Sequence, residues 1–238
     1  MALDYAKHKN ILIKILKDIF TDPALGPYLG FKGGTAALLF YDLNRFSVDL
    51  DFDLLDAAKE AEIFAGVKKI MEKYGRLKEA RVKRFNLVYI LDYDDRDINA
   101  QNVKVEINRR NFGSKYEVRN YLGIAMKVMV RADMAAHKLA AMLERVGKTN
   151  RDIFDVWFFL HNDWPVNQKI VEDRTKMSWA EFLAKSLTEL EKINRQDILA
   201  GMGELLDNKQ KAWVKTKLLS ETIFLLRLNL ANTKETAK

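Results

Sequence analysis

A glycine pair, followed about fourteen residues later by two alternating aspartates, places the strongest constraint on how this chain folds. The glycines are Gly33 and Gly34, and they directly follow a run over 28–32 that predicts a short strand. The aspartates are Asp49 and Asp51, with apolar residues between and after them. Because side chains alternate along a strand, the two carboxylates should share one face while their apolar neighbours point into a core.

Two ionised carboxylates about 4 Å apart repel each other by about 4 kcal/mol at an effective dielectric near 20, so a fold tolerates them if a cation or a shared proton relieves the repulsion. Glu106 supplies a third acid on the outward face of a predicted strand over 103–108, whose other face carries Val103, Val105 and Ile107. If that strand lies beside the aspartate strand, three carboxylates converge on a site for one or two Mg²⁺ ions.

The glycines add a second chemical function, because the backbone N–H groups at a helix start bind phosphate. A phosphate cradle beside a carboxylate pair indicates nucleotidyl transfer. Asp49 and Asp51 would hold the metals that bridge a triphosphate, and Glu106 would bind the second metal or activate the incoming hydroxyl. Phosphate contacts are expected from Gly33, Gly34 and Thr35, and charge neutralisation from Arg45 or Lys32.

Each of these patterns also has a purely structural interpretation. An Asp-x-Asp pair alone is more often a solvent-facing part of a strand, here continued by Asp53, and a Gly-Gly pair alone is usually a turn. The joint order and spacing of the two patterns favour the site.

Apolar spacing predicts the remaining elements. Helices are expected over 5–20, 35–42 with Thr35 near the N-cap, 57–74, 132–146, 151–161, 179–193 and 211–230. One or two strands are expected over 80–93, in addition to those over 28–32, 48–54 and 103–108. This order predicts an α+β fold, with an N-terminal lobe over 1–125 built on a small mixed or antiparallel sheet with flanking helices, and a C-terminal helical lobe over 126–238 packed against it.

Composition limits the partners and the location of the protein. No apolar run approaches the ~18–20 residues of a membrane span, and the start lacks the order of a signal peptide. There is no cysteine, and hence no disulfide or thiolate site. These features predict a cytoplasmic protein. The formal charge of +7 and the pI of about 9.3 favour a polyanionic partner such as nucleic acid, although the charge alone is a weak signal.

A basic segment directly follows Glu106. Its cations alternate with Phe112 and Tyr116, a mixture that binds single-stranded nucleic-acid ends by phosphate contact and stacking. The expected RNA-binding residues are Arg109, Arg110, Lys115 and Arg119. An ordinary charged loop is the alternative interpretation.

The motifs resemble those of the AbiEii/MenT-type nucleotidyltransferases, toxins of bacterial toxin–antitoxin and phage-defence systems within the polymerase-β-like superfamily. The first motif is Lys32-Gly33-Gly34-Thr35-Ala36 followed by Arg45-Phe46-Ser47-Val48-Asp49-Leu50-Asp51-Phe52. The second is Val105-Glu106-Ile107-Asn108-Arg109, the third contains Lys138, and the fourth is Arg151-Asp152-Ile153-Phe154-Asp155.

The resemblance implies roles that the residues alone do not establish. It makes Lys138 and Asp152 catalytic candidates, with Asp155 as a weaker one, and it adds Ser47 to the nucleotide-binding residues. From the residues alone, Lys138 is more often a solvated lysine on an amphipathic helix, where it shares a face with Arg145. The two aspartates equally favour the start of a helix.

For function, the resemblance implies a Mg²⁺-dependent enzyme that moves NMP from an NTP to an acceptor, with the 3′ end of tRNA as the expected acceptor and an antitoxin as a partner. Two alternatives stay open. One is transfer to a protein hydroxyl or a small molecule, and the other is a catalytically silent regulator that binds nucleotide or RNA.

Overall fold

The structure is a computed structural model in which residues 4–93 and 102–236 are described. The chain divides into two compact units. The first comprises Met1–Asn111 and Lys115–Val130, and the second comprises Phe112–Ser114 and Arg131–Lys238.

The first unit contains three α-helices and seven strands among its described residues. The helices are α1 (Tyr5–Thr21), α2 (Gly33–Phe40) and α3 (Glu60–Glu72). The strands are β1 (Leu29–Lys32), β2 (Asp49–Leu54), β3 (Arg76–Val82), β4 (Asn86–Asp92), β5 (Val103–Asn108), β6 (Tyr116–Tyr121) and β7 (Ile124–Met129). They form one mixed sheet in the order β3-β4-β5-β2-β1-β7-β6, so the α+β fold class is confirmed.

Sheet pairing places β2 at the centre of the first unit. It runs antiparallel to β1 and parallel to β5, while β1 is parallel to β7. On one face, the rings of Phe31 and Phe52 pack 5.3 Å apart, and Phe20 of α1 lies 6.4 Å and 6.1 Å from them. The predicted burial of the apolar residues of β2 is therefore confirmed, and its aspartates occupy the opposite face.

Two strands of the first unit were not predicted. Strands β6 and β7 form a hairpin whose turn residues, Leu122 and Gly123, have φ angles of 50° and 81°. Strand β6 is an edge strand with largely exposed side chains, so it lacks the apolar alternation that identifies a half-buried strand. The predicted lobe boundary at 125/126 falls inside β7, whereas the first unit extends to Val130.

The second unit is helical. Its described helices are α4 (Arg131–Arg145), α5 (Arg151–His161), α6 (Gln168–Thr175), α7 (Trp179–Glu191), α8 (Asn208–Trp213) and α9 (Leu219–Thr236). The single helix predicted over 211–230 is interrupted by a π-helical turn, Val214–Leu218. Helix α6 was not predicted, since Ile170 and Val171 are its only buried residues and it shows no extended apolar stripe.

Smaller differences concern helix starts. Helix α2 begins at Gly33 with Lys32 at its N-cap, so the prediction that Thr35 lies near the N-cap is wrong by about one turn. The predicted helix over 57–74 divides into a 3₁₀ turn, Ala57–Lys59, and α3.

None of the helices in the described ranges combines the length and apolar character required to cross a bilayer.

Candidate active site

The pairing of β2 with β5 brings three acidic side chains to one face of the sheet. Asp51 lies directly beside Glu106 in the parallel register, and Asp49 lies beside Lys104. Because register partners on neighbouring strands point to the same face, Asp49, Asp51 and Glu106 share the face opposite the aromatic core. The geometry on which the sequence prediction depended, a β5 strand next to the aspartate strand, is present.

A lysine lies among these carboxylates. Lys104 Nζ forms an ion pair with Glu106 and is about two-fifths exposed. Burial acts to lower the pKa of Lys104, but the contact with Glu106 and the charges of Asp51 and Asp49 outweigh it, so the pKa is raised above 10.5. The three acids therefore all act on one cation, Lys104.

Glu106 has a second partner in Asn86 of β4, whose Nδ2 donates to Glu106 Oε1. Lys104 and Asn86 thus orient the Glu106 carboxylate from both sides. In the part of the chain that the structure describes, no three His, Cys, Asp or Glu side chains are placed to ligate one metal ion. The three acids carry the negative charge that a divalent ion requires and lie on one face of the sheet. In the structure Lys104 is their counter-ion.

The glycine turn lies directly against Asp51. Gly33 has a φ of +80°, and a Cβ atom at this position would lie 2.3 Å from Asp51 Oδ2. The start of α2 therefore passes over the carboxylate at a distance that only glycine permits. Its N-terminal N–H groups and its dipole favour an anion beside the acidic face.

Three more predicted nucleotide-binding residues surround the same turn. A Cβ atom on Gly34 would lie 2.8 Å from Ser47 Oγ and 2.9 Å from Arg45 Nη2, so both side chains pack on the helix start. Thr35 Oγ donates to the carbonyl oxygen of Asp49 over 2.5 Å and lies 3.0 Å from Ser47 Oγ. Arg45 is 3% exposed and donates from Nη1 to the Phe46 carbonyl over 2.7 Å. These contacts fix the glycine turn to β2.

Lys32 has a different partner from the one that sequence reasoning gave it. Its Nζ lies 2.5 Å from Oδ1 of buried Asp53, which also accepts hydrogen bonds from Asn108, over 2.6 Å, and from Tyr116. Burial acts to raise the pKa of Asp53, but Lys32, Tyr116 and Asn108 together lower it below 3.8. Asp53 therefore belongs to a structural network and does not continue the acidic site as a solvent-facing residue.

The predicted RNA-binding segment is divided between the two units. Arg109 Nε pairs with Glu60 over 2.7 Å, and Arg119 Nε pairs with Glu117 over 2.7 Å. Lys115 is exposed, and Arg110 is exposed with its guanidinium over the ring of Phe85. Of the two aromatic residues, Tyr116 donates to Asp53, and Phe112 lies in the second unit with its ring centroid 5.7 Å from that of His137.

The second unit gathers its own charged cluster, in which α4 contributes the cations and α5 the acids. Lys138 Nζ lies 3.0 Å from Asp152 Oδ1 and 2.7 Å from Asp155 Oδ2. Arg145 Nη2 lies 3.0 Å from Asp152 Oδ2. Both aspartate side chains are at most 1% exposed, and that of Lys138 is 13% exposed. The predicted shared helix face of Lys138 and Arg145 is confirmed, and both residues use it to neutralise buried carboxylates.

Lys104 and Asn86 are the site residues that sequence reasoning missed. Strand alternation already placed Lys104 on the face of Glu106, so its position was available as a signal. Asn86 had no such signal, because its place beside Glu106 depends on the antiparallel register of β4 with β5.

Solved structures of other proteins share this fold. A protein described as a nucleotidyltransferase from H. pylori aligns over 99% of each chain with a TM-score of 0.63 and 19% identity. JHP933 from Helicobacter pylori aligns over 100% of this chain and 97% of its own, with a TM-score of 0.61 and 18% identity. MenT4, a nucleotidyltransferase toxin from Mycobacterium tuberculosis, aligns over 93% and 84%, with a TM-score of 0.55 and 18% identity. No curated protein matches the chain significantly in sequence.

A match to a protein-family model shows the class of protein, which is a nucleotidyltransferase. The family model for the nucleotidyl transferase AbiEii toxin of type IV toxin–antitoxin systems matches residues 14–216. The chain therefore belongs to the AbiEii nucleotidyltransferase toxin family, and the predicted family resemblance is confirmed.

Proposed function

We propose that the protein is a Mg²⁺-dependent toxin that transfers NMP from an NTP to the 3′ end of tRNA in the cytoplasm. The observation that carries this proposal is the shared face of Asp49, Asp51 and Glu106 beside the start of α2. Membership in a toxin family of toxin–antitoxin systems supports an NTP substrate and a cognate antitoxin as partner.

The residues divide into two groups by their chemistry. Asp49 and Asp51 would hold Mg²⁺, and Glu106 would help to bind a second ion or accept the proton of the acceptor hydroxyl. Bound Mg²⁺ supplies Lewis-acid stabilisation of the phosphates. The triphosphate would lie against the N–H groups of Gly33, Gly34 and Thr35, with the positive charge of Arg45 beside them and Ser47 fixing the turn.

The proposed reaction transfers NMP and releases pyrophosphate. The acceptor hydroxyl oxygen attacks the α-phosphorus of the NTP and forms the new O–P bond, while the bond to the bridging α–β oxygen breaks. Pyrophosphate leaves, and the hydroxyl proton passes to Glu106 or to water. When no metal ion is bound, Lys104 would act as the counter-ion of Glu106 and hold its carboxylate in place.

Lys138 and Asp152 are proposed to take part in catalysis on the basis of family resemblance. Their observed contacts also support a second role, because each neutralises a buried group of the other helix. For RNA binding, Arg110 and Lys115 are better placed than Arg109 and Arg119, because the first two are exposed and the other two are partly buried.

The proposal is tested by incubating the protein with each NTP radiolabelled at its α-phosphate, with Mg²⁺ and purified tRNA. Label should appear at the RNA 3′ end and disappear with Asp51→Asn. Asp56→Asn is the matched control, because Asp56 is exposed and its capping role is one that asparagine fulfils. Full activity of Asp51→Asn with an unchanged circular dichroism spectrum would refute the assignment of the metal site.

The same assay in a whole-cell extract separates the alternatives. Label in protein or in a small molecule, with none in RNA, would show that the acceptor is not RNA and that the protein is still a nucleotidyltransferase. If the protein bound NTP without any turnover, it would be a silent regulator.

A further inference from the structure

An exposed aromatic ring contacts two guanidinium groups at the turn between β3 and β4. Phe85 retains 42% of its accessible surface. The Cζ atoms of Arg84 and Arg110 lie 4.9 Å and 5.0 Å from its ring centroid. We call Arg84, Phe85 and Arg110 the arginine–phenylalanine platform. An exposed phenylalanine with two arginines over its ring is a surface on which a planar, negatively charged ligand can stack.

The chain leading to the platform is strongly basic. Between Arg76 and Phe85 it carries five cations and one acid, Glu79. Arg81 and Lys83 lie near Glu79, with 72% and 53% of their side chains exposed, while Arg76 and Lys78 pair with Asp92. Two carboxylates thus face four cations, and the arginines of the platform add to the excess of positive charge.

Charge on an edge strand has an ordinary explanation, because lysines and arginines there prevent pairing with other chains. That explanation covers Arg76 and Lys78 on β3. It does not cover Phe85, since an exposed aromatic ring at the end of an edge hairpin promotes association. The combination of ring and cations therefore points to a ligand.

The platform is connected to the acidic face through its neighbours in sequence. Asn86 follows Phe85 and donates to Glu106, and Arg110 Nε donates to Asn108 Oδ1 over 3.1 Å at the end of β5. In the β4–β5 register Glu106 lies beside Val88, three residues beyond Phe85. Phe85 directly precedes β4, and the three residues from Phe85 to Val88 span about 10 Å of extended chain.

We infer that the arginine–phenylalanine platform binds the single-stranded end of an RNA acceptor, with an unpaired base stacked on Phe85 or on a guanidinium plane and phosphates on the surrounding cations. This inference rests on the proposed function and specifies the surface that receives the acceptor. Single-stranded RNA fits better than a duplex, because only unpaired bases offer a free face for stacking.

The test measures binding of a fluorescein-labelled, single-stranded RNA with a free 3′-hydroxyl. Phe85→Ala should weaken binding roughly ten- to a hundredfold, and Phe85→Trp should preserve it, because stacking tolerates any aromatic ring. Phe224→Ala is the matched control, since Phe224 is 64% exposed on α9 and carries no such pair of arginines in the described contacts. Equal binding by Phe85→Ala and wild type would overturn the inference, as would equal losses for Phe85→Ala and Phe224→Ala.

Salt dependence tests the two arginines. Replacing Arg84 and Arg110 together by glutamine should reduce the slope of log Kobs against log salt by about 1.4, because each phosphate contact to a single strand contributes about 0.7. An unchanged slope would show that Arg84 and Arg110 do not contact RNA phosphates. Tighter binding of duplex than of single-stranded RNA would also contradict the inference.

Failure of the proposed function gives a different result. It would appear as absence of Mg²⁺-dependent NMP transfer by the wild-type protein, whatever RNA it binds. Failure of the platform alone would appear as normal transfer to RNA by Phe85→Ala together with wild-type RNA affinity.

Discussion

Gly33 and Asp51 are in direct contact: a single added carbon on Gly33 would lie 2.3 Å from Oδ2 and 2.9 Å from Cβ of Asp51. The glycine also has a φ of +80°, where residues with a side chain are strained. The backbone of α2 can therefore approach the Asp51 carboxylate this closely only because residue 33 has no side chain.

Gly33→Ala should abolish nucleotidyl transfer, because the methyl group forces either Asp51 or the start of α2 out of place. The backbone strain of a left-handed alanine adds about 1–2 kcal/mol. Gly123→Ala is the matched control, since Gly123 has a φ of +81° and open space around its Cβ position. Steady-state kinetics and chemical denaturation should show similar strain in both variants but lost activity only at Gly33. Retained activity in Gly33→Ala would show that Asp51 is not fixed by this contact.

Lys104→Met should make the stability of the protein depend more strongly on Mg²⁺. Without the ammonium, Glu106 loses its ion pair and Asp51 and Asp49 lose a neighbouring positive charge, so the metal-free protein loses stability. Mg²⁺ then binds without competition from Lys104 and raises the melting temperature by mass action. Differential scanning calorimetry with and without Mg²⁺ should show a larger shift in Lys104→Met than in wild type.

Lys68→Met is the control for this change, because Lys68 is about half exposed and pairs only loosely with Glu72, at 3.9 Å. An equal Mg²⁺ shift in both variants would contradict the role of Lys104. The folded-state pKa of Lys104 is raised above 10.5, so its contribution to stability is present below pH 10.5 and is lost as the pH rises through that raised value.

The central strand shows how far the sequence predicts the site. Alternation along β2 and β5 was sufficient to assign faces to Asp51 and Glu106, because a strand has only two faces and its apolar residues must occupy one. The same rule could not distinguish Asp53 from Asp51, because the two residues lie on the same face of β2. Asp53 differs because Lys32 of β1 and Tyr116 of β6 contact it, and those contacts depend on tertiary pairing.

The hairpin β6–β7 shows a second limit. Its outer strand is exposed, and its sequence from Tyr116 to Tyr121 alternates charged and uncharged residues without a buried apolar face. Strand β7 does alternate, because Met126 and Val128 are buried, so its sequence carried a signal that was missed, whereas that of β6 carried none. The basic segment before it was predicted as one surface, whereas contacts with Glu60, Asp53 and His137 distribute its residues to different partners.

Lys138→Met should reduce stability by about 3–5 kcal/mol, because it leaves the buried carboxylates of Asp152 and Asp155 with Arg145 as the remaining cation among the ion pairs described. Urea denaturation measures this loss, and exposed Lys169 on α6 provides the control Lys169→Met. A stable Lys138→Met variant with impaired kinetics would instead support a role in the chemistry alone. The combined variant Lys138→Met with Asp155→Asn should recover part of the lost stability, since it removes one of the two buried negative charges that Lys138 contacts.

The buried histidine beside the start of β2 should make stability fall in mildly acidic solution. His8 Nε2 lies 2.9 Å from the Val48 carbonyl oxygen, which only accepts, so Nε2 carries the proton and Nδ1 accepts from the Tyr93 hydroxyl over 2.8 Å. Burial lowers the pKa of His8 below 6.5 despite the opposing hydrogen bond to Val48. Since the folded pKa is depressed, the contribution of His8 to stability is complete above pH 6.5 and is lost as the pH falls through the lowered value.

Denaturation curves between pH 7.5 and pH 5 should show a decline in stability that the His8→Gln variant lacks. The control His161→Gln, at an exposed position, should retain this decline. An identical decline in the His8→Gln variant would assign the pH dependence to other groups.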